Sequence, residues 1–194
     1  SRGLGDVYKR QDVKSLENYP GDRFKVVYEE RMMVGYRHFD TNHVEPAYEF
    51  GFGLSYSEFR YSNLSLDDNE LKFQIENVSD ADGEEVAQVY VEFPDNSWNS
   101  HPLRELKAFK KVRIPAHSSA EVQITLDEDA FRYYSEALDK WTTEDGIYRV
   151  HVGGSSRNLP LCIETRMKQE EYITNTEYLN CLLYTSPSPR DGLL

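Results

Sequence analysis

Cysteine is almost missing: Cys162 and Cys181 are the only two in 194 residues. Two thiols make no disulfide framework and have no metal-ligand spacing, nothing in the pattern supports a bridge between them, and the redox compartment stays open. Long apolar runs are also lacking. No stretch approaches the roughly 18 to 20 residues of a membrane span, and Ser1 to Gln11 has no apolar core ahead of a cleavage site. No membrane anchor or signal peptide is expected in this chain. It should be soluble, with cytoplasmic and secreted locations both open. Basic residues are scarce, 22 against 34 acidic for a formal net charge of -12, so nucleic acid and anionic membranes are repelled at long range.

Catalytic signatures are equally sparse. There is no G-x-S-x-G, phosphate loop or dinucleotide fingerprint. His38, His43, His101, His117 and His151 form no H-x-x-x-H or Cys/His cluster. Glycoside hydrolysis needs two carboxyl groups facing each other at roughly 5 to 10 Å. The adjacent pairs Glu29 with Glu30, Glu84 with Glu85, and Asp127 with Asp129 all sit in charged runs, where carboxylates usually serve as solvated surface or turn residues. No catalytic, cofactor-binding or metal residue is therefore assigned, and no cofactor is expected.

What is present is aromatic and alternating. Apolar residues make up 39% and aromatics 13%, with 14 Tyr and 9 Phe, a composition that leans toward strands. Leu71, Phe73 and Ile75 alternate with polar residues, as do Ala87, Val89, Val91 and Phe93, with the turn cluster Ser79 to Gly83 between the two runs. Further strands are expected over Phe59–Leu64, Leu106–Ile114, Val122–Leu126, Phe131–Tyr134, Ile147–Val152 and Leu159–Glu164, with Pro115 ending one of them. About seven or eight short strands at this spacing predict an all-β, antiparallel β-sandwich of the immunoglobulin or fibronectin type III kind. Helical periodicity is limited to a turn at Asp127–Phe131 and a stretch at Arg166–Leu179.

Residues 12–56 read differently: Pro20-Gly21, Gly35, Pro46, Gly51 and Gly53 punctuate a run of aromatics that includes Tyr36, Phe39, Phe50, Phe52 and Tyr56. A connector of this kind packs against something. Phe52 and Tyr56 are expected to lie on the sandwich, with the chain up to Phe39 loosely held. Asn63-Leu64-Ser65 and Asn77-Val78-Ser79 match the glycan acceptor pattern. Trp98, in the loop Asp95 to Pro102, either stacks on a sugar or, as is commoner, covers its own sandwich edge. The aperiodic ends, residues 1–11 and 181–194, resemble translated sequencing adapters and are set aside as non-native scars on a gene cut at both sides.

Val34-Gly35-Tyr36-Arg37-His38-Phe39-Asp40, Pro46 and Phe50-Gly51-Phe52-Gly53-Leu54-Ser55-Tyr56 together resemble the junction leading into the C-terminal fibronectin type III-like domain of glycoside hydrolase family 3 enzymes. The resemblance continues through Asp82-Gly83, Glu85-Val86, Gln88 to Val91, Leu106 to Val112 and Gly146 to Ser156, and spans Tyr19 to Ser156. Glu49 stands where the family often has proline, and Ala108 where it often has glycine. The resemblance implies that residues 12–40 are the tail of an upstream α/β sandwich domain, 41–56 a linker, 57–166 the β-sandwich and 167–180 an extension. It further implies that the catalytic aspartate and glutamate lie upstream, so that the chain alone is inactive and its partners are the catalytic domains of a β-glucosidase-type parent. The alternatives are a carbohydrate-binding module using the Trp98 loop and an adhesion domain of a cell-surface protein.

Overall fold

Alternation of side chains about an extended backbone builds most of the molecule. The computed structural model describes residues 25, 28, 30–95, 101–135 and 139–168. Strand β1 (Phe59–Asp67) turns back into β2 (Glu70–Asn77), and β5 (Ser119–Thr125) pairs on the far side of β2, giving an antiparallel sheet in the order β1-β2-β5. The second sheet, also antiparallel, has the order β4-β3-β8-β9, from β3 (Gly83–Glu92), β4 (Glu105–Ile114), β8 (Gly146–Gly153) and β9 (Leu161–Met167). A separate two-stranded hairpin joins β6 (Tyr133–Ser135) to β7 (Lys140–Thr142).

The two sheets close on one core. Leu71, Phe73 and Ile75 of β2 and Val122 and Ile124 of β5 meet Ala87, Val89 and Val91 of β3 and Tyr148, Val150 and Val152 of β8. Each large side chain removed from water there contributes about 1.5–3 kcal/mol. The crossing from one sheet to the other is held by Asn77. Its buried amide donates to the carbonyls of Ala81 (2.8 Å) and Ile114 (3.0 Å) and accepts from the backbone N–H of Ser79, so the polar group is satisfied where water is absent.

The antiparallel sandwich is the expected one, with local differences. Phe131 does not begin a strand: it ends a 3-10 helix, Glu128–Phe131, whose first turn is capped by the Asp127 carboxylate accepting from the Asp129 N–H. β6 starts only at Tyr133. With three residues, β7 is too short for alternation to announce it. Arg166 and Met167 are not helical, because they pair with Ile147 and Gly146 as the end of β9; the rest of that expected helix from residue 169 lies outside the described residues. On β4, Ala108 pairs with Val89 and Leu106 with Tyr90, which leaves Lys107 as a bulge.

The connector departs furthest from expectation. Phe39 is buried at 2% exposure and Tyr56 is 100% exposed, the reverse of the arrangement expected from position alone. The reason lies in β3. Its alternation sends Gln88 and Tyr90 to the outer face of the sheet, where both are nonetheless buried, so residues 34–58 form a strap that covers them. Near the strap's end Ser57 turns inward and donates to the Ala81 carbonyl, which sends its neighbour Tyr56 outward.

Candidate functional site

The face worth building from its residues is the strapped face of the four-stranded sheet. The short helix α1 (Tyr36–Thr41) follows Gly35 and is closed by Asn42, whose side-chain amide donates to the His38 carbonyl (2.9 Å). The helix lays the Tyr36 ring edge-on against Tyr90, centroids 5.7 Å apart, and beside Phe50 at 5.3 Å. The Tyr36 hydroxyl accepts from the Leu106 N–H and Thr41 Oγ1 from the Leu103 N–H, each at 2.8 Å.

Arg157 is the largest single tie. Its guanidinium donates to Asp40 Oδ1 (2.8 Å), Glu45 Oε2 (2.9 Å) and the Val44 carbonyl (2.6 Å), joining the β8–β9 loop to both ends of the turn after α1. Further along, Phe50 O accepts from Ser156 N–H (2.9 Å), and Gly51 passes directly over Gln88. With φ at +87° and the Gln88 amide nitrogen 2.1 Å from where a Cβ would stand, only glycine fits at position 51. Gln88 is satisfied from both sides, donating to Gly154 O (2.8 Å) and accepting from the Tyr90 hydroxyl. Glu49, the departure from the family's proline, accepts from Ser155 Oγ (3.0 Å) and so adds one more stitch.

A cleft of about 620 Å³ opens beside this strap, lined by Glu49, Phe52, Phe59, Tyr61, Glu85 and Asn158 among others. Glu85 accepts from the Tyr61 hydroxyl (2.7 Å). Burial pushes the Glu85 carboxyl above its usual range, and the Tyr61 bond only partly offsets it; burial first, then the Glu85 charge, pushes the Tyr61 phenol up as well. Glu84 points to the opposite face and pairs with Lys111, so these neighbouring carboxyls cannot act across one bond. Asp127 caps its helix and Asp129 pairs with Arg132 (3.4 Å), while Glu29 lies outside the described residues.

The histidines are dispersed. His117 contacts Asp80 (2.7 Å), His151 contacts Glu92 (2.8 Å), and His101 stacks on Phe93 with centroids 4.2 Å apart. Among the described residues no group of three or more His, Cys, Asp or Glu is placed to hold a metal ion, and no helix is long and apolar enough to cross a membrane. Of the two glycan patterns, Asn77 is fully buried, whereas Asn63 stands exposed on a bulge of β1. Cys162 is exposed on β9; Cys181 and Trp98 lie outside the described residues.

Tyr28, Tyr48, Leu54 and Tyr56 are exposed along the connector, while Asp40 Oδ2, Arg37 Nε and Ser156 Oγ are buried without a hydrogen-bond partner among the described residues. Arg157 carried no sequence signal, because its partner Asp40 lies 117 residues away along the chain.

Residues 85–156 match the fibronectin type III-like domain family. Thermostable beta-glucosidase B of Acetivibrio thermocellus is 38% identical over 155 residues, covering 76% of this chain and 20% of that protein. An exo-alpha-(1->6)-L-arabinopyranosidase of Bifidobacterium longum is 38% identical over 153 residues, with the same coverage of 76% and 20%. Among solved structures, a GH3 beta-glucosidase of Bifidobacterium adolescentis superposes with a TM-score of 0.81 at 36% identity, over 87% of this chain and 26% of that one. Beta-glucosidase 3B of Thermotoga neapolitana, solved with alpha-D-glucose, gives 0.77 at 39% identity, over 86% and 24%. The chain thus spans about a fifth of the length of the curated relatives it matches. With its two facing antiparallel sheets, its family match over residues 85–156 and its superposition on GH3 beta-glucosidases, the chain carries a fibronectin type III-like domain of the kind found in glycoside hydrolase family 3 enzymes.

Proposed function

We propose that this domain is a non-catalytic accessory module that buttresses the catalytic domains of a family 3 glycosidase, a parent enzyme that removes terminal β-D-glycosyl, chiefly β-glucosyl, residues. Residues 12–40 would then belong to the tail of the preceding catalytic-side domain and 41–56 to the connector. The observation that carries this reading is the two-sided strap. Its inner side is bolted to the sandwich through Arg157, Tyr36 and Gly51, while its outer side turns Tyr48, Leu54 and Tyr56 to solvent. The names of the relatives as beta-glucosidases favour a glycosidase parent over an adhesion protein.

The test has two arms. The purified chain should leave aryl β-glucosides intact, since the carboxyl pair that the reaction needs would lie elsewhere in the parent. A chimera carrying this chain in place of the matching region of the Acetivibrio enzyme should hydrolyse them. Replacing Leu54 and Tyr56 by Ser should lower the melting temperature of the chimera yet change the isolated chain by no more than about 0.5 kcal/mol, the scale of surface substitutions. Turnover by the isolated chain that disappears on mutating one of its own carboxylates overturns the reading.

A further inference from the structure

The β6–β7 hairpin presents an aromatic corner that the strap does not use. Tyr134 and Trp141 stand directly opposite each other across the hairpin, 46% and 54% exposed, with ring centroids 5.8 Å apart and planes at 75°. The corner is held from below. Ser135 and Thr142 are buried, and Tyr133 packs edge-on against His101 (4.8 Å) and Phe93 (6.5 Å), which fixes the hairpin to the sandwich. The Tyr134 hydroxyl donates to the Asp139 carboxylate, which orients the phenol ring.

We infer that this corner binds a neutral β-linked gluco-oligosaccharide, with Trp141 as the stacking platform and Tyr134 as its wall. Three observations select that chemistry. First, with Glu136 and Asp139 against Lys140 the hairpin is acidic in sequence within a chain of net charge -12, so the corner does not attract a polyanion. Second, two half-exposed rings offer on the order of 200 Å², far short of the roughly 800 Å² per side of a stable protein interface. Third, a pyranose carries C–H bonds on its face and hydroxyls at its rim. The ring face attracts polarised C–H groups as it attracts cations, and the phenol and carboxylate supply hydrogen bonds at the edge. The site is also distinct from the strap's exposed end. Tyr56 adjoins Ser57 and Ala81 before the start of β3, whereas the hairpin packs on Phe93 beyond its end, about 30 Å away at the usual rise per strand residue. The choice of glucose as the sugar rests on the glycosidase reading above; the aromatic corner does not.

Titration of the full chain with cellohexaose, followed by the indole N–H signals in NMR spectra, tests the inference. A Trp98→Phe variant leaves Trp141 as the only indole. Its signal should shift and saturate with a dissociation constant in the millimolar range, below about 10 mM. By calorimetry Trp141→Ala, checked for its fold by circular dichroism, should bind at least about tenfold more weakly, while Trp141→Phe stays within about threefold because it retains a ring. Laminarihexaose in parallel separates β-1,4 from β-1,3 linkage, and saturation by either supports the site. No indole shift with either sugar overturns the inference, as does undiminished binding by Trp141→Ala. Binding lost with Trp98→Phe also overturns it. Since these measurements use the isolated chain, their failure leaves the chimera test of the accessory role untouched.

Discussion

The sandwich and the strap are both buried against each other, yet they are held by opposite means. Between the sheets, sixteen buried apolar side chains share the load, with the Asn77 amide holding the crossing. Along the strap, a few polar contacts from Arg157, Tyr36, Thr41, Ser155 and the Ser156 N–H do most of the holding, with Phe39 and Phe50 filling in. A distributed core degrades gradually and cooperatively. A strap with few ties can detach at one end while the sandwich stays folded.

Breaking the distributed side should have the largest effect. Phe73→Ala empties a fully buried position between Leu71 and Ile75 and should cost about 3–5 kcal/mol, seen as a single shift of the whole denaturant transition. Breaking the concentrated side should be smaller and local. Arg157→Ala leaves Asp40 buried without its cation, and with Arg157 itself part-exposed the loss should be about 2 kcal/mol. Hydrogen exchange would read it as lost protection over residues 36–44 while residues 71–91 remain slow. Uniform loss across both regions would show that strap and sandwich unfold as one unit.

The smallest effect contrasts two carboxyls of β3 itself. Glu85, at the strap end, is raised by burial, so its neutral form is the one the fold favours. Its contribution is fully present below its ordinary value of 4.5 and is lost as pH rises through the higher folded value. Glu85→Gln should therefore raise the melting temperature at neutral pH, with the gain vanishing in acid. Glu92, at the other end, is lowered by the His151 hydrogen bond and by Arg149 against its burial. Its stabilisation is present above its ordinary value and fades as pH falls through the lower one, so Glu92→Gln should lower the melting temperature at neutral pH. Melting curves of both variants from pH 3 to 8 check the opposite signs.

Period-2 alternation located β2, β3, β5 and β8 because apolar residues on one face of each enter the core while polar or amphipathic ones alternate on the other, in β3 beneath the strap. It set the start of β6 two residues early, at Phe131, and did not reveal β7, which is shorter than the pattern needs, and Trp141 was overlooked with it. The strap was legible as a connector but not in its orientation. Which of Phe39 and Tyr56 lies inside depends on where Gln88 and Tyr90 surface on the far side of β3, a three-dimensional fact with no local signature. Arg157 was invisible for the same reason, whereas the absence of a facing carboxyl pair in Glu84 and Glu85 follows from strand geometry alone.

The bulge at Lys107 bears on how the chain avoids pairing with its own copies. β4 is an edge of its sheet, and an open edge displays unpaired backbone donors and acceptors that invite a strand from another molecule. The extra residue at Lys107 distorts that row near its start, Lys110 and Lys111 put charge along its length, and the Tyr36 hydroxyl occupies the N–H of Leu106. Exposed Phe109 is thus set in an edge already spoiled as a template for growth. The strap thus does more than cover the outer face of β3: through Tyr36 it also closes part of the open edge to a strand from another copy.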